Sequence, residues 1–522
     1  MDFGSVKPVL LVSMVDVSAY GIRLVTAYLN SVGRSADLLT LRLSDNQKSL
    51  LTGRPIEPIQ PEFIQNFLRF IENYPYIGFS LFSDSFHECV LLSREIKKAY
   101  PEKTIIWGGV HPTLKTAECL EYADYVCVGE GYVALQELLE QLDRGELVAD
   151  NDDLKPPKGI WRKKSGLVQS TGTGEFISNI DSQPFPTYDP RHVFVRNDDN
   201  SISNLDRADY RNYLDYVYYT MFSLGCPYHC SYCANNAYKR LDKQYGKIRQ
   251  HSVDYMFREI KEAQKHYTFY NVYFMDDFFI LSNKKLFDEF VERYPQEIGL
   301  PFIATGVIPR MTKREHIGKL IQAGMVRSRT GIQTGSQRML EIYRRKQNNE
   351  DIIKISEWFS EYRGKLVPLS YDLILDGAGE TIDDTIETFM LISRLSRPLI
   401  LNLASLRGYP GTEIVQIMEE YEPGKTVSYT MWNDTVINSL IAIESVVPIP
   451  RFIINILVKR KTFLEKSVPK FVTKIIYYLI LLQKTIYHLR YGEYSSKPCW
   501  IVDYIRKISA SKRYIFRKLG FY

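Results

Sequence analysis

Gly225-Cys226-Pro227-Tyr228-His229-Cys230-Ser231-Tyr232-Cys233-Ala234 places three thiols within eight residues. A C-x3-C-x2-C triplet is an iron–sulfur ligand pattern one ligand short, because a cubic four-iron cluster usually takes four thiolates. Three thiolates leave one iron with an open position, where a small molecule can bind and react. A zinc knuckle would want a fourth Cys or His at similar spacing, and His229 lies inside the loop, poorly placed to close such a site. A disulfide would need an oxidising compartment. The other four cysteines, Cys89, Cys119, Cys127 and Cys499, stand singly and read as small buried side chains. This usage suggests a reducing compartment, the cytoplasm.

Working outward, the sequence around the triplet alternates short apolar strands with amphipathic helices. Helix 253–266 precedes strand Val272 to Met275, which ends in Asp276-Asp277-Phe278-Phe279. Helix 284–293, strand Phe302 to Gly306 and helix 313–323 follow, then a strand entering Gly331-Ile332-Gln333-Thr334-Gly335-Ser336. Strand Val367 to Leu375 ends in Asp376-Gly377-Ala378-Gly379-Glu380-Thr381, and strand Leu401 to Leu406 leads to Gly408-Tyr409-Pro410-Gly411-Thr412. This predicts an open or closed (β/α) barrel with its chemistry at the C-terminal strand ends.

The first 150 residues alternate in the same way. Strands are expected at 9–13, 76–81, 104–107 and 125–128, and helices at 19–32, 86–99 and 132–143. That is a parallel α/β sheet, whose ligands bind beyond the carboxyl ends of the strands. Those ends are Ser80-Leu81-Phe82, Gly108-Gly109-Val110-His111-Pro112 and Gly129-Glu130-Gly131, and glycine there lets a backbone approach a flat ligand closely. Residues 151–200 read as a linker, with Pro156-Pro157, a hairpin turning at Ser165-Gly166, and Pro184-Phe185-Pro186. The expected fold is therefore α/β throughout: a Rossmann-like domain over 1–150, the linker, a barrel over 201–420, and a helical basic extension over 421–522.

Taken in order, these motifs resemble the radical S-adenosylmethionine (SAM) enzymes, in particular the subgroup with a cobalamin-binding domain ahead of the barrel. The likeness covers residues 5–415. It implies that Cys226, Cys230 and Cys233 hold a [4Fe–4S] cluster whose open iron is chelated by SAM, which is then cleaved to a 5′-deoxyadenosyl radical. It implies SAM contacts at Tyr232, at the Asp276-Asp277 strand end, at Gln333 and Ser336, and at Arg310, with Arg327 and Arg329 competing for the SAM carboxylate. It implies cobalamin contacts at Asp16, Ser18, Gly21, Ser80, Gly108, Gly109, Gly129, Glu130 and Gly131. The sequence departs from the family pattern in four places. Gln333 replaces a glutamate, Ala378 a proline and Leu224 an arginine, and Ser18 stands where many cobalamin domains carry the histidine that ligates cobalt. Serine is a poor cobalt ligand beside imidazole, so a lower face without protein histidine is expected; a vestigial domain without cofactor is the alternative.

The resemblance implies cobalamin-dependent methylation of an unactivated carbon, with an external flavodoxin- or ferredoxin-like electron donor. Radical rearrangement, cyclisation or C–S bond formation is the alternative within enzymes, and a cobalamin or redox sensor the alternative outside them. The substrate is left open among small molecules, lipids and peptides. Residues 451–522 carry sixteen Lys+Arg and three Asp+Glu, a local charge of +13 in a chain whose net charge is +5. Within that tail, Phe471 to Leu489 is apolar with flanking lysines, too short to span a bilayer. A helix packed on the barrel with a solvated basic face competes here with an interfacial helix on anionic lipid, and nucleic acid is a weaker fit. The start of the chain lacks a signal-peptide layout.

Overall fold

The structure, a computed structural model, describes residues 6–14, 17–41, 59–147, 154–197, 199–207, 210, 214, 216–279, 283–424 and 432–491. Two of the residues named above, Asp16 and Cys499, lie outside them. The chain divides into two compact units. The first is Met1–Asp215 with Ala237–Tyr245 and Arg258–Thr268; the second is Tyr216–Asn236, Gly246–Phe257 and Phe269–Tyr522.

The first unit is organised around strand β1, Val9–Ser13, buried at every position. Alternate side chains serve opposite faces. Leu10 and Val12 join Phe63, Phe67, Phe79 and Trp107 in one core, while Val9 and Leu11 join Leu38, Ile106 and Leu138 in another. Burial on both faces is what a parallel strand sandwiched between helix layers requires. β1 pairs in parallel with β2 (Ala36–Thr40) on one side and β3 (Tyr76–Ser80) on the other. β4 (Thr104–Gly108) and β5 (Tyr125–Cys127) continue from β3. The order β5-β4-β3-β1-β2 reverses between β1 and β3, the switch point at which sheets of this kind open a ligand crevice.

The stretch read as a linker contributes three more strands to this sheet, and the first residues of the stretch read as barrel contribute a fourth. The hairpin β6 (Ile160–Lys164) and β7 (Leu167–Gln169) turns at Ser165 and Gly166, both at positive φ, as a two-residue turn matching strand twist requires. It pairs antiparallel with β5, while β8 (Val193–Arg196) and β9 (Ile202–Asn204) extend the far edge beyond β2. The sheet has nine strands.

The second unit holds six parallel strands in sequential order: β10 (Val217–Thr220), β11 (Asn271–Phe274), β12 (Phe302–Ala304), β13 (Met325–Gln333), β14 (Ser370–Leu375) and β15 (Ile400–Ser405). No pairing between β15 and β10 closes the ring among the described residues, so the barrel is open. A short antiparallel pair, Ser223–Leu224 with Arg249–Gln250, brackets the cysteine loop. Helices Val436–Val446, Arg451–Leu457, Lys461–Leu464 and Lys470–Tyr491 follow the barrel, as the helical extension predicted. Among the described residues no helix is long and apolar enough to cross a membrane.

Candidate functional site: the cysteine loop and the strand ends

The cysteine loop leaves the C-terminal end of β10 and is held at its middle residue. Ser231 donates its backbone N–H to the Tyr343 carbonyl (3.0 Å) and its hydroxyl to the Ile342 carbonyl (2.9 Å). Its own carbonyl accepts from Ile414 N–H (3.0 Å). Ser231 is fully buried, so the loop is fixed through its centre while Cys226 and Cys233 stay partly exposed on either side. Arg345 supplies a cation beside the loop. It donates to the Cys230 sulfur (3.9 Å), the Tyr232 hydroxyl (3.2 Å) and the Gly331 carbonyl (2.5 Å). Burial pushes the Cys233 thiol up to about 11, and Asp277, Cys230 and Cys226 nearby add to the shift against a backbone hydrogen bond from Asn235. The Cys233 thiol would thus give up its proton on binding metal. Each thiolate of a cubane meets a different iron, so the three sulfurs need not converge on one point; among the described residues no group of three ligands does so.

Asp276 and Asp277, adjacent at the end of β11, have opposite tasks. Asp276 is buried, and its carboxylate accepts from Phe222 N–H (3.1 Å), Ser223 N–H (2.5 Å) and the Ser223 hydroxyl (2.6 Å). Burial lifts its pKa to about 7 against those donors. It braces the entry to the cysteine loop, with both carboxylate oxygens already accepting from within the protein. Asp277 is exposed yet lies deep in the protein mass, which raises its pKa, while a hydrogen bond with Asn235 opposes the rise.

Arg310 is exposed, and no hydrogen bond or ion pair engages it among the described residues; its charge is felt at Tyr228, whose ring also senses Cys226 and Arg345. Of its competitors, Arg329 is committed to Asp372, donating to both oxygens (2.7 and 2.9 Å), and Arg327 is buried. Gln333 ends β13 at φ 62°, an uncommon conformation for a side-chain-bearing residue and one that clusters at ligand sites. Its amide nitrogen folds back over Gly331, 2.4 Å from where a Cβ would sit, so a side chain at 331 would displace the Gln333 amide.

Ser336 is engaged within the protein. Its hydroxyl caps helix Gln337–Ile342 at Met339 N–H (3.3 Å) and donates to Asp384 (2.6 Å), and the residue is fully buried. Asp384 also accepts from Arg338 and Thr381, and despite burial these bonds hold its carboxyl well below the usual range. Ser336 therefore locks the β13 end to the helix after β14.

In the first unit, Ser80, Gly108 and Gly109 lie partly exposed at the ends of β3 and β4, and Ser18 follows β1 across the switch point. The strand interiors behind them are buried. Gly21 is exposed, with nothing within 4 Å of the position a Cβ would take. The Gly129-Glu130-Gly131 turn is packed against the protein's own chain. A Cβ on Gly129 would lie 2.5 Å from the Tyr245 hydroxyl, which also accepts from Glu130 N–H (3.2 Å), and the Glu130 carboxylate accepts from Ile177 N–H (3.1 Å). The protein's own chain fills this turn. Cys89, Cys119 and Cys127 are buried, as expected.

The barrel strands also carry a polar cluster that the sequence did not disclose. Lys484, on helix Lys470–Tyr491, donates to the Asn402 amide oxygen (2.9 Å); Asn402 donates to Asp372 (2.8 Å), which holds Arg329. Burial lowers the Lys484 pKa to about 8, the charges of Arg327 and Arg329 add to this, and Asp372 opposes it. Arg345 was equally hidden, since one arginine in Arg344-Arg345-Lys346 carries no distinguishing signal.

A model of the B12 binding domain matches residues 6–139, and a model of the Radical SAM superfamily matches residues 220–392. The chain is a cobalamin-binding-domain radical SAM protein. Its cofactor set is the one that pairing carries: a [4Fe–4S] cluster, SAM and cobalamin. An uncharacterized methyltransferase of Pyrococcus horikoshii is 26% identical over 271 residues, 51% of this chain and 53% of that protein. The chain thus spans about half the length of the curated relative it matches. Two cobalamin-dependent structures share its fold. OxsB with aqua-cobalamin and SAM bound has a TM-score of 0.61 at 16% identity, covering 99% of this chain and 76% of that one. The radical SAM methyltransferase TsrM of Kitasatospora setae, with cobalamin and cluster bound, has a TM-score of 0.57 at 17% identity, covering 78% and 74%.

Two outcomes follow from this radical SAM protein's geometry. Asn at position 276 offers one acceptor where two carboxylate oxygens now accept, so Asp276→Asn leaves at least one buried donor unpaired. That costs about 1–3 kcal/mol, read as a lower denaturant midpoint, and the same variant retains less iron per chain after reconstitution. Lys484 binds fewer protons folded than unfolded between its lowered pKa near 8 and the usual lysine value of about 10.4. Stability contributed by this residue therefore rises with pH across that window. Between pH 8 and 10 the wild type should gain melting temperature relative to Lys484→Met.

Proposed function

We propose that this protein is a cobalamin-dependent radical SAM methyltransferase acting on an unactivated carbon. The observation that carries the reading is the three-cysteine loop, pinned through Ser231 and flanked by an exposed cation, Arg310, and an exposed carboxylate, Asp277. The 26% identical methyltransferase relative supports the choice of methyl transfer over other radical outcomes. Bound together, the cluster, SAM and cobalamin supply reductive SAM cleavage, hydrogen abstraction and methyl transfer.

The chain's residues supply the rest. Cys226, Cys230 and Cys233 hold three irons, and the Arg345 N–H aimed at Cys230 offsets thiolate charge in a poorly solvated place. Arg310 has an unengaged guanidinium to meet the SAM carboxylate, and Asp277 a carboxylate for its ammonium. Tyr232, held by Arg345 and edge-on against Tyr343 (ring centroids 5.3 Å), fixes the backbone beside which adenine would lie. Gln333 offers an amide in place of the family's carboxylate, keeping hydrogen bonds without adding negative charge. Ser18, Ser80, Gly108 and Gly109 border the cobalamin crevice, and the crevice offers serine, not histidine, at the expected cobalt-ligand position. An external flavodoxin- or ferredoxin-like donor would deliver the electrons; the substrate is a small molecule, lipid or peptide.

The test is anaerobic reconstitution with iron, sulfide and cobalamin, followed by reduction with methyl-labelled SAM. Wild type should form 5′-deoxyadenosine, and Cys226→Ala, Cys230→Ala and Cys233→Ala each should lose it by at least about a hundredfold. Given the cell extract as substrate source, the label should enter an organic product. Turnover that survives any of these cysteine changes contradicts the radical SAM site. 5′-Deoxyadenosine without label transfer points instead to rearrangement, cyclisation or C–S chemistry.

A further inference from the structure

Helix Lys470–Tyr491 has two apolar faces, and the protein uses one. Thr473, Ile476 and Ile480 are buried on the inner side, and Lys484 joins the barrel's polar cluster. On the outer side Phe471, Ile475, Leu479, Leu482 and Ile486 recur at helical spacing, and each is 45–64% exposed. The neighbouring helix Arg451–Leu457 repeats the arrangement, with Ile454 buried and Phe452 66% exposed. Of the large apolar side chains exposed among the described residues, half lie between Val447 and Ile486. Contiguous exposed apolar surface on this scale marks an interaction face.

The charge beside it selects the occupant. Arg451, Lys459, Arg460, Lys461, Lys466, Lys470 and Lys474 are all exposed, against the single carboxylate of Glu465 in the same stretch. A second copy of the chain docking symmetrically would bring the same cations onto themselves. An anionic lipid surface meets both properties at once, taking the apolar stripe between its acyl chains and the lysines and arginines at its headgroups. The helix is 22 residues long and no described helix suits a transmembrane span, so it would lie along the interface.

We infer that the outer face of helix Lys470–Tyr491, with helix Arg451–Leu457, is a peripheral docking surface for anionic membrane lipid. Co-sedimentation of the full-length protein with vesicles tests it, comparing phosphatidylcholine alone with phosphatidylcholine containing phosphatidylglycerol. The protein should pellet with the anionic vesicles, should release as salt is raised, and should stay in solution with neutral ones. Leu479→Glu with Leu482→Glu should weaken anionic-vesicle binding by about tenfold or more, with an unchanged melting profile because both side chains point outward. Lys470→Glu with Lys474→Glu should weaken it too. Failure to bind anionic vesicles, or binding indifferent to both double variants, overturns the inference. A lipid-free dimer that the Leu479→Glu, Leu482→Glu variant dissolves also overturns it, by assigning the face to a second copy.

Discussion

The architecture of the second unit rests on the immobilisation of Ser231. A loop carrying three thiols in eight residues has no regular backbone pairing of its own, and a mobile loop could not hold a cluster in one geometry. Three hydrogen bonds from Ser231 reach the end of helix Gln337–Ile342 and the first turn of helix Glu413–Tyr421, more than a hundred residues away in sequence. Each is worth only about 0.5–1.5 kcal/mol net. Their value is positional, since a site must be held by residues that are themselves locked. Asp276 does the same for the loop's entry, gathering Phe222 and Ser223 onto one carboxylate.

A division of labour runs through both units. Polar groups that look chemically promising are often spent on holding strand ends together, and their sequence neighbours are left open. Asp276 is consumed and Asp277 exposed; Ser336 is consumed, while Gln333 at the same strand end is held at positive φ beside Gly331. Arg329 is bound to Asp372, while Arg310 is unengaged among the described residues. In the first unit the Gly129-Glu130-Gly131 turn is filled by Tyr245, whereas Gly108 and Gly109 stay partly exposed at a strand end.

The elements most legible in the sequence were the long periodic ones. Helices 86–99, 132–143 and 253–266 and strand 9–13 appear at the residues their patterns indicated, because each buries a continuous apolar face. Short strands escaped: β8 and β9 run only four and three residues, with β9 at the sheet's edge, and their pairing is decided by the sheet they join. The cysteine triplet announced itself because its spacing is chemically unusual. Arg345 and Lys484 did not, because their partners at Cys230 and Asn402 lie 115 and 82 residues away. Ser336 and Gly129 were legible as motif letters, but a letter does not say whether a ligand or the protein's own chain occupies the neighbouring space.

The most direct measurement is the electron paramagnetic resonance spectrum of the reduced, reconstituted protein with and without SAM. A cluster held by three cysteines has one iron free to take SAM, so adding SAM should shift the g-values, and the shift should persist when Cys89, Cys119, Cys127 and Cys499 are replaced together. A spectrum that does not change on adding SAM, or a cluster that depends on a fourth cysteine, would contradict the open-iron site.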